Sequence, residues 1–314
     1  MSIKQKRWFN MPRCARIKSP DSVYHIMVRS ISDTLLYKSC KDKDKYLGLI
    51  KKYQGIFLFK VYAYCIMDTH AHIIIDAAGA DISKIMQSIN QCYAQYFNLK
   101  YKRRGHLFQD RFKSKIIYDD RYLITLSSYI HNNPSDMEQY KNDLKSYKYS
   151  SLSIYLGLRK DEFNILDTDF ILEQFSRDKI VARHHYSKFV QSSNGDEPAY
   201  DTEFKHEKAE YRSERKVLIR NAKPIDVINF VAKYTKQNRS QINIKHIKSC
   251  IEFKSISALL MRGVCDMKQK DICKEMGNIT QSHASRLCLN GLDLVNKKNE
   301  YKNIIYDFIK AKAC

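Results

Sequence analysis

The stretch VYAYCIMDTHAHIIID, residues 61–76, decides the fold. It is β-rich and apolar almost throughout, and Asp68-Thr69 divides it as a tight turn divides a hairpin. Residues 57–67 therefore predict one strand and residues 70–76 the next. Side chains alternate across a strand, so His70 and His72 point to one face and Ala71 to the other. Two imidazoles side by side on a rigid strand can offer two nitrogens to one metal ion. The same pair also fits a polar patch on the open face of a half-buried strand.

Working outward, residues 23–30 (VYHIMVRS) alternate and predict an earlier strand. Residues 41–54 place Tyr46, Leu47, Leu49, Ile50 and Tyr53 on one helical stripe. Residues 81–101 predict a long amphipathic helix along Ile82, Ile85, Met86, Ile89, Tyr93 and Phe97. Residues 113–118 predict a fourth strand, and residues 121–132 a helix closed by Pro134. The order β-α-β-β-α-β-α begins with the split βαβ pattern of a ferredoxin-like fold. The fold class is thus α+β: an antiparallel sheet with helices on one face, the other face free for chemistry, then a mostly helical C-terminal part. His25, on the first strand, fits a structural histidine better than a member of the site.

The expected division is a basic arm (1–20), a catalytic domain (21–135), a helical extension of it (136–193), a linker (194–212) and a helical DNA-binding domain (213–314). The linker is drawn from the polar, acidic, turn-rich stretch from 192 to about 208, between two mostly helical regions.

The 314 residues carry a formal charge of +21, from 55 Lys+Arg against 34 Asp+Glu, which points to a polyanionic partner such as nucleic acid. With 44% hydrophobic residues and only 9 Gly and 5 Pro, the chain can bury a core and favours long helices. The nine Cys form no C-x-x-C pair, which argues against a zinc ribbon or disulfide framework and for a reducing cytoplasm. No apolar run reads as a signal peptide or membrane span, so the expected location is cytoplasmic and nucleoid-associated.

Local clustering adds to the global charge. Lys102, Arg103, Arg104, Arg111, Lys113 and Lys115 lie between residues 100 and 115 with a single acid, Asp110, and with Tyr101, Phe108 and Phe112 interleaved. Lys100 belongs to the same run. Cations of this kind track phosphates, while the two Phe side chains read better as core. Lys4, Lys6, Arg7, Arg13, Arg16 and Lys18 suggest a second contact. Near residues 268–290 the pattern is helix, Gly277-Asn278 turn, helix, with Thr280 as N-cap; Gln281, Ser282, Ser285 and Arg286 are then available to read DNA. An ordinary helical hairpin fits the same residues.

In LSSYIHNNP, Tyr129 and Asn133 are four apart and share a helical face. His70, His72 and the Asn133 side-chain oxygen could hold a hard divalent cation, Mg²⁺ or Mn²⁺, beside a nucleophilic phenol. Nothing in the pattern alone singles out Tyr129 among 22 tyrosines. His131 is two residues on and is expected to touch solvent or DNA. His184 and His185 read as surface or packing residues.

Four blocks, MPRCARIKSPDSVYHIMVRS, CIMDTHAHIIID, GHLFQDRFKSKII and YLITLSSYIHNNP, in this order and spacing, resemble the REP-associated tyrosine transposases, single-tyrosine HUH enzymes acting on single-stranded DNA. The resemblance covers roughly residues 10–190. It implies that His70 and His72 bind metal, that Tyr129 is the nucleophile, and that Asn133 completes the metal site. It further implies a 5′-phosphotyrosine with a free 3′-OH, recognition of hairpin DNA, and often a homodimer. Asp68-Thr69 and Ala71 depart from the family's usual residues. Residues from VINFVAKYTK onward loosely resemble the DNA-binding domain of the bacterial chromosomal replication initiator, implying contact with double-stranded DNA. Two other readings stay open: a DNA-binding regulator that has lost catalysis, and a replication-initiator or relaxase-type nickase.

Overall fold

The computed structural model describes residues 22–31, 34–193, 217–244 and 248–313. The basic arm and the linker expected at 194–212 lie outside the described residues.

The sheet consists of β1 (Val23–Arg29), β2 (Lys60–Ile66), β3 (His70–Asp76) and β4 (Lys113–Ile117), in the order β2-β3-β1-β4, every neighbour antiparallel. This is the ferredoxin-like arrangement. The two crossovers are α1 (Cys40–Phe57) and α2 (Ile82–Lys100). The stripe predicted for α2 is its buried face, from Ile82 to Phe97. Asp81 caps the helix by accepting from the Ser83 amide at 2.8 Å. Ala71, Ile73 and Ile75 are fully buried, as the parity of β3 requires.

One expectation fails. The face carrying the histidines is not left bare, because α3 (Asp120–Asn132) crosses it over β2 and β3. Asp119 starts α3 by accepting from the Tyr122 amide at 2.7 Å. The apolar residues Leu123, Leu126 and Ile130 then drive it onto the sheet, where all three are buried.

The segment after α3 completes the unit. It contains α4 (Leu152–Tyr155), α5 (Asp169–Leu172) and α6 (Lys179–Ser192), with α6 packed on α3. It also closes the outer edge of β2. Ile66 N donates to Tyr149 O at 2.9 Å, Ser151 N to Tyr64 O at 3.0 Å, and Asp167 N to Val61 O at 2.9 Å.

The C-terminal block is α7 (Pro224–Tyr234), α8 (Ile251–Gly263), α9 (Gln269–Glu275), α10 (Gln281–Lys297) and α11 (Ile304–Ala313). The helix–turn–helix pattern is present as α9 and α10. Gly277 and Asn278 have positive φ (78° and 55°), and the Thr280 hydroxyl caps α10 by accepting from His283 N at 3.2 Å. α10 runs eight residues beyond the expected end at 289, to Lys297. Its Gly291 lies so close to α8 that a Cβ there would sit 2.3 Å from Ser255 O. Gly291→Ala is therefore expected to destabilise this block by about 2 kcal/mol despite alanine's better helix propensity, read as a lower urea midpoint.

The block docks on the sheet unit at the end of α1 and the loop after β3. Arg220 Nη2 donates to Phe57 O (2.6 Å) and Ala78 O (3.1 Å), and Nη1 to Gly263 O. Gly263 lets α8 approach Ile56 O of α1, where a Cβ would meet that oxygen at 2.4 Å.

Candidate active site on the sheet and helix α3

The hairpin turn fixes the first histidine. Met67 N donates to His70 O at 2.8 Å, and Thr69 Oγ1 lies 3.0 Å from His70 Nδ1. Thr69, one of the family departures, thus holds a candidate ligand directly. The second histidine is fixed from β1, since His25 Nε2 lies 2.9 Å from His72 Nδ1. His25 therefore does belong to the site. In each candidate ligand Nδ1 has a protein partner, which leaves Nε2 as the nitrogen that could meet a metal.

α3 supplies the remaining groups. Tyr129 presents its ring edge-on, with centroids 5.6 Å from His72 and 6.5 Å from His25. Asn133 keeps helical geometry although α3 ends one residue before it, so its side chain returns over the Tyr129 turn. Its Nδ2 donates to Tyr129 O at 2.9 Å, and the same side chain hydrogen-bonds His70. The four residues expected to act together therefore meet on one face.

Burial distinguishes Tyr129 from many of the other tyrosines. Tyr24, Tyr37, Tyr46, Tyr62, Tyr64, Tyr93, Tyr155 and Tyr186 are sealed in the core, whereas Tyr129 is half-buried beside the histidines.

Electrostatics keeps both imidazoles neutral. Burial pushes His70 below the ordinary histidine range, helped by the nearby Arg29 charge and opposed by the Asn133 bond and Asp136. Burial lowers His72 much further, with His25 and His70 adding to the effect. A neutral imidazole is the ligating form. Two such nitrogens with an amide oxygen suit a divalent cation, although among the described residues no three His, Cys, Asp or Glu side chains gather into a metal cage.

Strand register identifies further residues on this face. Directly opposed residues share a face in an antiparallel pair. Met27 stands opposite both His72 and Lys113, His25 opposite Lys115, and Arg29 opposite His70. Lys113 and Lys115 are exposed and so border the site from β4, while Arg29 borders His70. Arg29 was missed in the sequence. The period-2 pattern His25-Met27-Arg29 was its signal, once β1 is paired with β3.

The other predicted contacts divide. Lys102, Arg104 and Arg111 are exposed and Arg103 is half-buried. Phe112 is core and Phe108 packs against it, as expected. Lys100 is turned inward: its Nζ donates to Asp42 Oδ1 at 2.6 Å. Burial alone would raise the Asp42 carboxyl, but hydrogen bonds from Lys100, Tyr101, Ser39 and Tyr96 overcome it and hold the carboxyl below its usual range. Gln281, Ser282, Ser285 and Arg286 are exposed on the first turns of α10.

His131 corrects an expectation. It touches neither solvent nor an open surface but is fully buried, with Nδ1 2.7 Å from Tyr186 OH and Nε2 2.6 Å from Ser151 Oγ. Burial drives its pKa down to about 3. The folded value lies below the unfolded one of about 6.5, so the unfolded chain takes the proton first as pH falls. The contribution is complete above the unfolded pKa and declines as pH drops toward the folded one. Between pH ~6.5 and ~5 the loss should be about 2 kcal/mol. His131→Gln is expected to remove that much of the pH dependence of urea unfolding.

Residues 18–133 match the model of the family described as "Transposase IS200 like". This segment is therefore similar to the IS200-like transposases. The match spans the whole sheet, α1 to α3 and all four site residues, and ends at Asn133. Among solved structures, a REP-associated tyrosine transposase bound to a REP hairpin is similar to this chain at 16% identity, with a TM-score of 0.40, over 47% of this chain and 86% of its own length. No curated protein matches the chain. Among the described residues, no helix is long and apolar enough to cross a membrane.

Proposed function

We propose that this chain is an IS200-like transposase, which cleaves and rejoins single-stranded DNA through a covalent tyrosine intermediate. The observation that carries the reading is the meeting of Tyr129, His70, His72 and Asn133 on one face, with both imidazoles kept neutral. The Tyr129 oxygen attacks phosphorus, a P–O bond forms to the phenol, and the bond to the 3′ oxygen breaks. The products are a 5′-phosphotyrosine and a free 3′-OH. Attack by another 3′-OH reverses the step and releases the tyrosine, so rejoining needs no nucleotide cofactor.

His70, His72 and Asn133 Oδ1 would hold Mg²⁺ or Mn²⁺, which polarises the phosphodiester when bound. His25 and Thr69 orient the two imidazoles, and Asn133 ties the metal side of the site to the turn of α3 that carries the nucleophile. Arg29, Lys113 and Lys115 line the approach and would neutralise phosphates on either side of the reacting one. Lys102, Arg103, Arg104 and Arg111 extend that contact. The substrate form proposed is a hairpin-bearing strand, with the enzyme acting as a homodimer.

The test is incubation of the full-length protein with end-labelled, hairpin-bearing single strands from the flanks of its own gene, in Mg²⁺ or Mn²⁺. A labelled band that survives denaturation and disappears with EDTA is the expected result. Binding with no such band on any flank would leave a DNA-binding protein without transferase chemistry.

A further inference from the structure

The exposed residues of α10 do not look out from a free surface. Gln281, Ser282, Ser285 and Arg286 line one wall of a cleft of about 710 Å³, and the opposite wall is the outward face of α2. Gln87, Gln91 and Gln95, spaced by four along α2, form that wall with Lys84 and Ser88. Arg262, Lys268 and Lys270 add charge from the C-terminal block. No Asp or Glu is among the described residues lining the cleft, and four cations of the C-terminal block, Arg262, Lys268, Lys270 and Arg286, face it beside Lys84. Lys84 is ion-paired at 2.7 Å with Asp266, which fixes the two walls relative to each other at one end. Gln87 and Gln91 also line a second cleft of about 900 Å³, whose far wall is the loop from Gly105 to Phe112 with Arg111. The two clefts thus lie on either side of Gln87 and Gln91, and the second one is also lined by Asp110.

We infer that the interdomain groove of the first cleft binds a segment of single-stranded DNA, gripped by α2 and α10 together. The inference rests on the DNA-transferase reading only for the kind of polymer. Cations on both walls suit a phosphate backbone, and rows of amides and hydroxyls suit the edges of unpaired bases. A recognition helix that reads duplex must carry its outer residues into the major groove unobstructed. Here those residues face a second protein wall, which suits a single strand lying between the walls. The groove is also on the α2 side of the sheet, away from Tyr129, so it is a separate contact from the catalytic one.

The experiment uses full-length Tyr129→Phe protein in EDTA, so that neither the nucleophile nor a metal contributes. Fluorescence anisotropy compares a labelled oligothymidylate with a duplex of equal length. Gln87→Glu/Gln91→Glu keeps size and helix propensity while placing carboxylates in the groove. It is expected to weaken single-strand binding about tenfold. Lys270→Glu/Arg286→Glu, on the opposite wall, should weaken it comparably and lower the slope of log K against log salt by about 0.7 for each cation removed. Duplex affinity should be weaker at the outset and unaffected by the α2 pair. The inference is overturned if the α2 pair leaves single-strand affinity unchanged, or if duplex binds more tightly and depends on Arg286 alone. Either result leaves the adduct assay, and the reading it tests, untouched.

Discussion

Tyr129→Phe should abolish the covalent protein–DNA adduct, lowering its rate of formation by about 10⁴-fold or more, as removal of a nucleophile does elsewhere. The substitution deletes one oxygen and leaves the ring, which packs edge-on to His72 and His25. Asn133 bonds the backbone carbonyl of residue 129, which the substitution leaves in place, so Asn133 is expected to keep its position. Binding of the hairpin strand and of Mn²⁺ should therefore be preserved while the adduct is lost. Denaturing gels report the adduct, and anisotropy reports the binding. An adduct that persists in Tyr129→Phe would place the nucleophile on another tyrosine; simultaneous loss of DNA binding would mean that the phenol has a structural role.

The second large effect is expected at His72. His72→Ala removes one imidazole and also the hydrogen bond to His25, whose Nε2 lies 2.9 Å from His72 Nδ1. Mn²⁺ affinity, followed by calorimetry, should fall by more than the roughly 10–100-fold typical of losing only an outer partner, and the adduct should vanish with it. His25→Ala should give that smaller loss, since it releases the His72 ring without removing it. The pH profile carries the same signature. Both candidate ligands titrate below the ordinary histidine range, so as pH falls they take up a proton later than a free imidazole does. Mn²⁺ binding should accordingly persist at mildly acidic pH and weaken only as pH falls through the depressed values. Equal Mn²⁺ affinity in wild type and His72→Ala would remove the metal from the reading.

Much of this site could be read from local periodicity. Alternation alone put His70 and His72 on one face, and the four-residue spacing joined Tyr129 to Asn133. The remainder depended on residues distant in the chain. His25 reaches His72 because β1 pairs with β3 in a register that brings Met27 opposite His72, and no feature of VYHIMVRS alone sets that register. His131 is buried because Tyr186, 55 residues later, arrives on α6 to bond it. Lys100 leaves the basic patch because Asp42, at the start of α1, accepts from it. The α9–α10 pattern was legible down to its Thr280 cap, but the wall facing it belongs to α2 and comes from domain docking.

The closed outer edge of β2 separates the family segment from the unit that can fold. An unpaired edge of apolar strand is a template on which other chains can polymerise. Here the backbone groups of Val61, Tyr64 and Ile66 are occupied by residues 149–151 and 167, beyond the last residue of the family match. A chain stopped at Asn133 would retain every candidate catalytic side chain and still expose that edge. The extension thus covers an edge that the matched segment leaves open, and its loss is expected to be felt as aggregation before it is felt as lost chemistry.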